Sequence, residues 1–204
     1  MIENNLLLVE GTNDLHIISA FCGVHQIPEV FKIEKCDSDS KVLKKLDAYI
    51  NSSVPINKIA IVLDADEKGF EQRKQSVEAI LYRNDIITEN IDYTNGAIIQ
   101  SDNSRIGVWI MPNNQDFGRI EDFIIDLIDT KAIDYAKATS IEAKSKNLGD
   151  FKDVHISKAI VHSYLAWQDE PGCPIGQSIT KQVLKPNTET AQIFKNWLFR
   201  MFVE

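Results

Sequence analysis

Three times in its first 84 residues the chain repeats one pattern: a short apolar run, a polar junction, then apolar residues at helical spacing. The runs are 5–9 (NLLLV), 30–35 (VFKIEK) and 58–63 (KIAIVL). Between and after them, residues 14–24 carry apolar side chains at 15, 17, 18, 21 and 24, with Thr12 or Asn13 as the expected cap. A second helix is expected after the capping stretch "DSDS" at 37–40, on Val42, Leu43, Leu46 and Ile50, and a third over 68–84, on Val77, Ile80 and Leu81. A β-α-β-α-β-α order requires crossover connections and so predicts an α/β fold with a mostly parallel sheet flanked by helices. The run at 58–63 has almost no polar alternation, as expected of a strand covered on both faces.

Further along, the runs 97–100 and 106–111 flank the polar turn "SDNSR" and predict a hairpin. A loop at 112–118 leads to an amphipathic helix over 119–129. The remainder reads as mostly helical, at about 133–146, 154–167 and 189–203, broken by the turn-rich "DEPGCPIG" at 169–176. The expected organisation is an α/β domain over 1–130 with a helical C-terminal lobe over 131–204 packed on it. Trp167, Trp197, Phe199 and Phe202 are expected in the core rather than on a base-stacking surface.

Charge narrows the function classes. Residues 1–130 hold 12 Lys/Arg against 22 Asp/Glu, and residues 131–204 hold 10 against 8, for a net of −8 overall. Such a chain does not bind nucleic acid through bulk charge; phosphate handling needs a metal or help from the less acidic tail. The three cysteines, Cys22, Cys36 and Cys173, form no CxxC pair, which argues against zinc and for reduced thiols. No apolar run nears the roughly 20 residues that span a bilayer, and the start of the chain lacks the basic and apolar stretches of a signal peptide. A cytoplasmic protein without membrane contact is expected.

The first and third apolar runs end in acids. Glu10-Gly11 follows the first, and Asp64-Ala65-Asp66 follows the third in "IAIVLDADEK". In open parallel sheets ligands sit at the carboxyl ends of strands. Tips of neighbouring strands, about 4.8 Å apart, bring a Glu and an Asp within reach of one small cation. An extended backbone would put Asp64 and Asp66 on one side. Carboxylates crowded without a cation raise one another's pKa; Mg²⁺ or Mn²⁺ relieves that. The alternative is helix capping, which suits Asp14 or Asp66 taken singly. Gly11 would allow a tight turn and close approach to a phosphate.

"LLLVEGTNDLHII", followed some fifty residues later by "IAIVLDADEK", resembles the Toprim domain of topoisomerases, bacterial primases, recombination mediators and OLD-type nucleases. The resemblance covers about residues 5–125. It implies a compact parallel sheet flanked by helices, Mg²⁺ binding and phosphoryl transfer on nucleic acid. Glu10 would be the general acid/base or metal-associated glutamate, and Asp64 and Asp66 metal ligands. The segment "GRIEDFIIDLI" resembles the acidic pair that follows the last core strand in OLD-type and small stand-alone prokaryotic Toprim-like proteins, so a second metal would sit among Asp14, Glu121 and Asp122. A plain charge–dipole role at a helix start is the alternative for Glu121 and Asp122. His155, Lys158 and His162 share a helix face. OLD-type nucleases use a lysine outside the acidic cluster to stabilise charge in the transition state, and Lys158 is the candidate by analogy; a solvated polar face is the alternative.

Haloacid-dehalogenase phosphatases also carry Asp-x-Asp after an apolar strand, but usually the first strand, and with Thr or Val two residues beyond the second Asp, where this chain has Lys68. Receiver domains want an acidic pair after strand one. Walker A, GxGxxG and GxSxG motifs are absent. The chain is short for a topoisomerase or primase. The expected function is a Mg²⁺-dependent nuclease acting on DNA or RNA. The alternatives are a non-catalytic metal-binding or regulatory subunit beside an ATPase partner and, after it, a phosphatase of haloacid-dehalogenase type.

Overall fold

The computed structural model describes residues 4–204. Five strands form one sheet: β1 (Asn5–Val9), β2 (Lys32–Lys35), β3 (Lys58–Asp64), β4 (Ala97–Gln100) and β5 (Arg105–Met111). Their order is β2-β1-β3-β5-β4, with all pairs parallel except β4 against β5. The fold is therefore α/β with a mostly parallel five-stranded sheet, and β1 and β3 are hydrogen-bonded neighbours. The hairpin expected around "SDNSR" closes as an antiparallel pair, from Gln100 opposite Arg105 to Ala97 opposite Val108.

The pleat sorts the central strands onto two cores. Leu7, Val9, Ala60, Val62, Trp109 and Met111 face one side, and Leu6, Leu8, Ile59, Ile61, Leu63, Ile106, Val108 and Ile110 the other. This period of two inside unbroken apolar runs is what a doubly covered strand requires. The second face is covered by α2 (Asp39–Ile50), through Val42 and Leu46, and by α3 (Gly69–Arg83), through Val77, Ile80 and Leu81. Ser38 caps α2, its Oγ accepting the Lys41 N–H at 3.3 Å.

The first face is covered by elements from both ends of the chain. These are α1 (Thr12–Val24), α4 (Ile120–Asp126), α6 (Ile156–Ala166), α7 (Ile175–Thr180) and α8 (Glu189–Phe202), with α5 (Thr130–Ser145) packed on α6. The helices after residue 130 thus share one face of the sheet with α1 and α4. Register explains how α8 fits: Gly107 lies opposite Ala60, and a Cβ at Gly107 would stand 2.8 Å from the Met201 Sδ. Trp197 is fully buried, stacks on Phe194, and donates its indole N–H to the Ala97 carbonyl at 3.1 Å.

Four sequence expectations change. Gly11, not Thr12 or Asn13, caps α1, and without a side-chain bond. Beyond the 169–176 turn the chain forms the short helix α7, whose Ile175 and Ile179 are too few to announce a period. Trp167 is 47% exposed, its ring tilted against that of the exposed Tyr135 at 5.4 Å between centroids, because α6 ends one residue before it. Phe199 is 41% exposed, on the outer side of α8, while Trp197 and Phe202 are buried as expected. Among the described residues no helix is long and apolar enough to cross a membrane.

Trp197→Ala should cost about 3–5 kcal/mol, the range for deleting a buried aromatic. At about 2–4 °C per kcal/mol for a chain of this size, thermal denaturation followed by circular dichroism should show a loss on the order of 10 °C.

Candidate functional site

Two acids meet where β1 and β3 end side by side. One residue past β1, the Glu10 carboxylate turns across to the neighbouring tip and accepts the backbone N–H of Asp64 at 2.8 Å. Asp64 is the last residue of β3, and its own carboxylate accepts the Ile120 N–H, at the start of α4, at 2.9 Å. One chain of hydrogen bonds thus joins three segments far apart in sequence.

Two further acids lie in the same pocket of charge. Asp14, in the first turn of α1, is 7% exposed, and Glu121, in the first turn of α4, is 9% exposed. A Cβ at Gly11 would lie 2.9 Å from the Asp14 Oδ2. Gly11 itself is extended (φ −127°, ψ 178°), so it makes room for Asp14 and no tight turn demands it.

The electrostatics follow from desolvation and crowding. Burial pushes Glu10 up to about 7; the Asp64 amide and the Arg73 charge pull back, and Asp14 and Asp66 push further. Asp64 is raised well above the carboxylate range by burial first, then by Glu10, Asp14, Glu121 and Asp66. Burial is also the main cause of the rise at Asp14, where the backbone amides of the α1 start oppose it and Glu121 adds to it.

Asp66 behaves differently. Its backbone is in the left-handed region (φ 53°), so the extended geometry that would align it with Asp64 ends at the strand tip. Its two oxygens are held by guanidinium groups: Arg73 Nη2 at 2.7 Å and Arg119 Nε at 2.5 Å. Arg73 is only 3% exposed and also donates to the Asp64 carbonyl (2.7 Å) and to Asp39 (2.5 Å), so it locks the turn after β3 against the start of α2. Asp122 is likewise engaged, accepting the Arg119 N–H at 2.8 Å as a helix cap and the Ser157 hydroxyl at 2.6 Å.

The chain therefore brings Glu10, Asp14, Asp64 and Glu121 into one electrostatic cluster, and commits Asp66 and Asp122 to arginine pairing and capping. Lys158 is exposed, next to Ser157 on α6, and makes no ion pair among the described residues. Arg73 and Arg119 were not anticipated from sequence. Arg73 carried a signal, since it stands at i−4 from Val77 and so on the apolar stripe of α3.

A hard divalent cation suits this cluster in donor chemistry and charge. The four acids offer only oxygen, burial and then crowding raise Glu10, Asp14 and Asp64, and the nearest arginines are bonded to Asp39 and Asp66. As they stand, no group of three or more His, Cys, Asp or Glu among the described residues is arranged to hold an ion, so coordination would require carboxylate rotations.

An α/β protein with a parallel sheet and an acidic centre at its strand tips is the class that fold and site define. The family described as "Protein of unknown function (DUF3226)" matches residues 4–203, and the chain belongs to it. No curated protein and no solved structure matches the chain.

Because Glu10 has a higher pKa folded (about 7) than its ordinary value of 4.5, the folded state binds more protons between those values. Its contribution is complete below about pH 4.5 and is lost as pH rises through about 7. Asp14 and Asp64 act in the same direction. Urea denaturation in chelator should give lower stability at pH 8 than at pH 5, and Glu10→Gln should flatten that dependence.

Arg73→Ala would remove the buried partner of Asp39 and Asp66, which keep Lys68 and Arg119, and a loss of about 1–3 kcal/mol is expected in the same assay. Arg73→Lys should recover only part of it, since an ammonium cannot span three acceptors as the planar fork does.

Proposed function

We propose that the chain is a Mg²⁺- or Mn²⁺-dependent phosphoryl-transfer protein of Toprim type that cleaves phosphodiester bonds in DNA or RNA. The observation that carries this reading is the Glu10 carboxylate seated on the Asp64 amide across adjacent parallel strand tips, with Asp14 and Glu121 buried beside them. Glu10, Asp64, Asp14 and Glu121 are the residues that would hold the ion. When bound, it supplies Lewis-acid charge to the phosphate and acidifies water.

The chain's own groups supply the rest. Glu10, whose carboxylate already spans the two strand tips, is the acid placed to exchange a proton with water there, which suits it to a general acid/base role. Asp66 serves this reading by fixing Arg73 and Arg119 at the edge of the acids. Lys158 emerges on the solvent side of α6, beside the residue that holds Asp122, and remains the candidate for charge stabilisation by analogy with OLD-type nucleases.

A second reading, a non-catalytic metal-binding or regulatory subunit working with an ATPase, is favoured by one observation: Asp66 and Asp122 are already engaged, and no three acids are pre-arranged around a point.

Incubation with single- and double-stranded DNA and RNA in Mg²⁺ or Mn²⁺ separates the two. The nuclease reading expects cleavage that Asp64→Ala abolishes while the melting curve is retained. Calorimetric titration with Mg²⁺ should show a binding event that Glu10→Ala removes. Absence of cleavage on every substrate, joined to a melting temperature that no divalent ion raises, would sink the nuclease.

A further inference from the structure

We propose that Phe117 and Arg119 form a nucleotide subsite at the rim of the acidic centre, with Phe117 stacking an unpaired base and Arg119 taking a backbone phosphate. The proposal rests on nucleic acid being the substrate and specifies how that substrate is held.

Phe117 is 69% exposed, yet the loop that carries it is tightly held. On one side Asn113 accepts the N–H groups of Gln115 and Asp116, at 3.2 and 3.0 Å. Asn114, 1% exposed, accepts the Ile110 N–H at 2.7 Å. On the other side Gly118 pairs with Asp66 in both directions, at 2.7 and 3.3 Å. The ring leans on the first residue of α3, where Gly69 has φ +80° and an added Cβ would meet the Phe117 Cε1 at 2.7 Å. The rest of the ring faces water.

Single exposed apolar residues are common and need no explanation. What distinguishes Phe117 from, for example, Tyr82 at the far end of α3 is its company. The next three residues run past the acids: Gly118 on Asp66, Arg119 on Asp66, and Ile120 on Asp64. Arg119 also donates through Nη1 to the Val154 carbonyl at 2.5 Å, while its Nη2 makes no bond among the described residues. Lys68, with 54% of its side chain exposed and its ammonium in a long 3.6 Å pair with Asp39, precedes Gly69. A rigidly mounted aromatic flanked by cations is the arrangement by which proteins hold single strands, the ring taking a base and the cations the backbone. Net repulsion from an acidic surface makes such local contacts the more necessary.

The test uses the full-length chain and a short single-stranded oligonucleotide carrying 2-aminopurine, in DNA and RNA forms, in calcium buffer. Wild type should bind and quench the 2-aminopurine fluorescence by stacking. Phe117→Ala should weaken binding about fivefold to a hundredfold and lose the quench at an unchanged melting temperature, and Phe117→Trp should restore both. Equal quenching and affinity in wild type and Phe117→Ala would overturn the subsite alone. A wild-type chain that binds neither oligonucleotide would overturn the subsite together with the nucleic-acid reading beneath it.

Discussion

A carboxylate withdrawn from water must be compensated locally or give up its charge, and the strand tips of this fold are organised around that constraint. Glu10 finds partial compensation in the Asp64 amide, and Asp64 in the Ile120 amide. Asp66 finds it fully, in two guanidinium groups. The difference divides the acids into two populations. One is neutralised by the protein and acts as a brace for the turn after β3. The other, with Glu10 and Asp64 at its centre, stays under-compensated, which natural sequences tolerate mainly where a ligand or a proton completes the balance.

The brace sets the geometry of the strand tips. Arg73 reaches from α3 to the Asp64 carbonyl, to Asp66 and to Asp39 on α2, so one side chain ties the two helices of the second sheet face to the end of β3. Arg119 repeats the device on the other side, joining Asp66 to the Val154 carbonyl ahead of α6. The acids are thus framed by both helical layers, and α6 touches the frame again through Ser157 on Asp122.

Much of this was legible in the sequence, for identifiable reasons. Unbroken apolar runs such as Ile59–Leu63 declare a buried parallel strand, and an acid at the end of such a run can only lie at the sheet's carboxyl edge. That logic located Glu10 and Asp64 at the carboxyl edge; that their tips are neighbours comes from the sheet order. It failed at Asp66, because side-chain alternation holds only while the backbone is extended and Asp66 is left-handed. Arg73 was hidden for another reason: a cation among "EQRKQ" reads as solvated helix surface unless its place on the Val77–Ile80–Leu81 stripe is weighed above its charge. Cover by the later helices was invisible in detail, since Phe194, Trp197 and Met201 advertise an apolar face but not the Gly107–Ala60 slot that receives it.

That slot has a consequence for how the chain is made. The face of the sheet behind β3 and β5 is closed by side chains around residue 200, and Lys58 reaches the Phe202 carbonyl at 3.0 Å. During synthesis, β1, β3 and β5 leave the ribosome well before α8 does. Until then the part of that face that α8 covers stays exposed, although α1, α4, α6 and α7 can already pack on the rest, and domains complete folding as units. The nascent chain therefore passes through an interval, at roughly 5–20 residues per second, in which the arginine frame of the acidic centre has already been made while the apolar strip under α8 is still open to water.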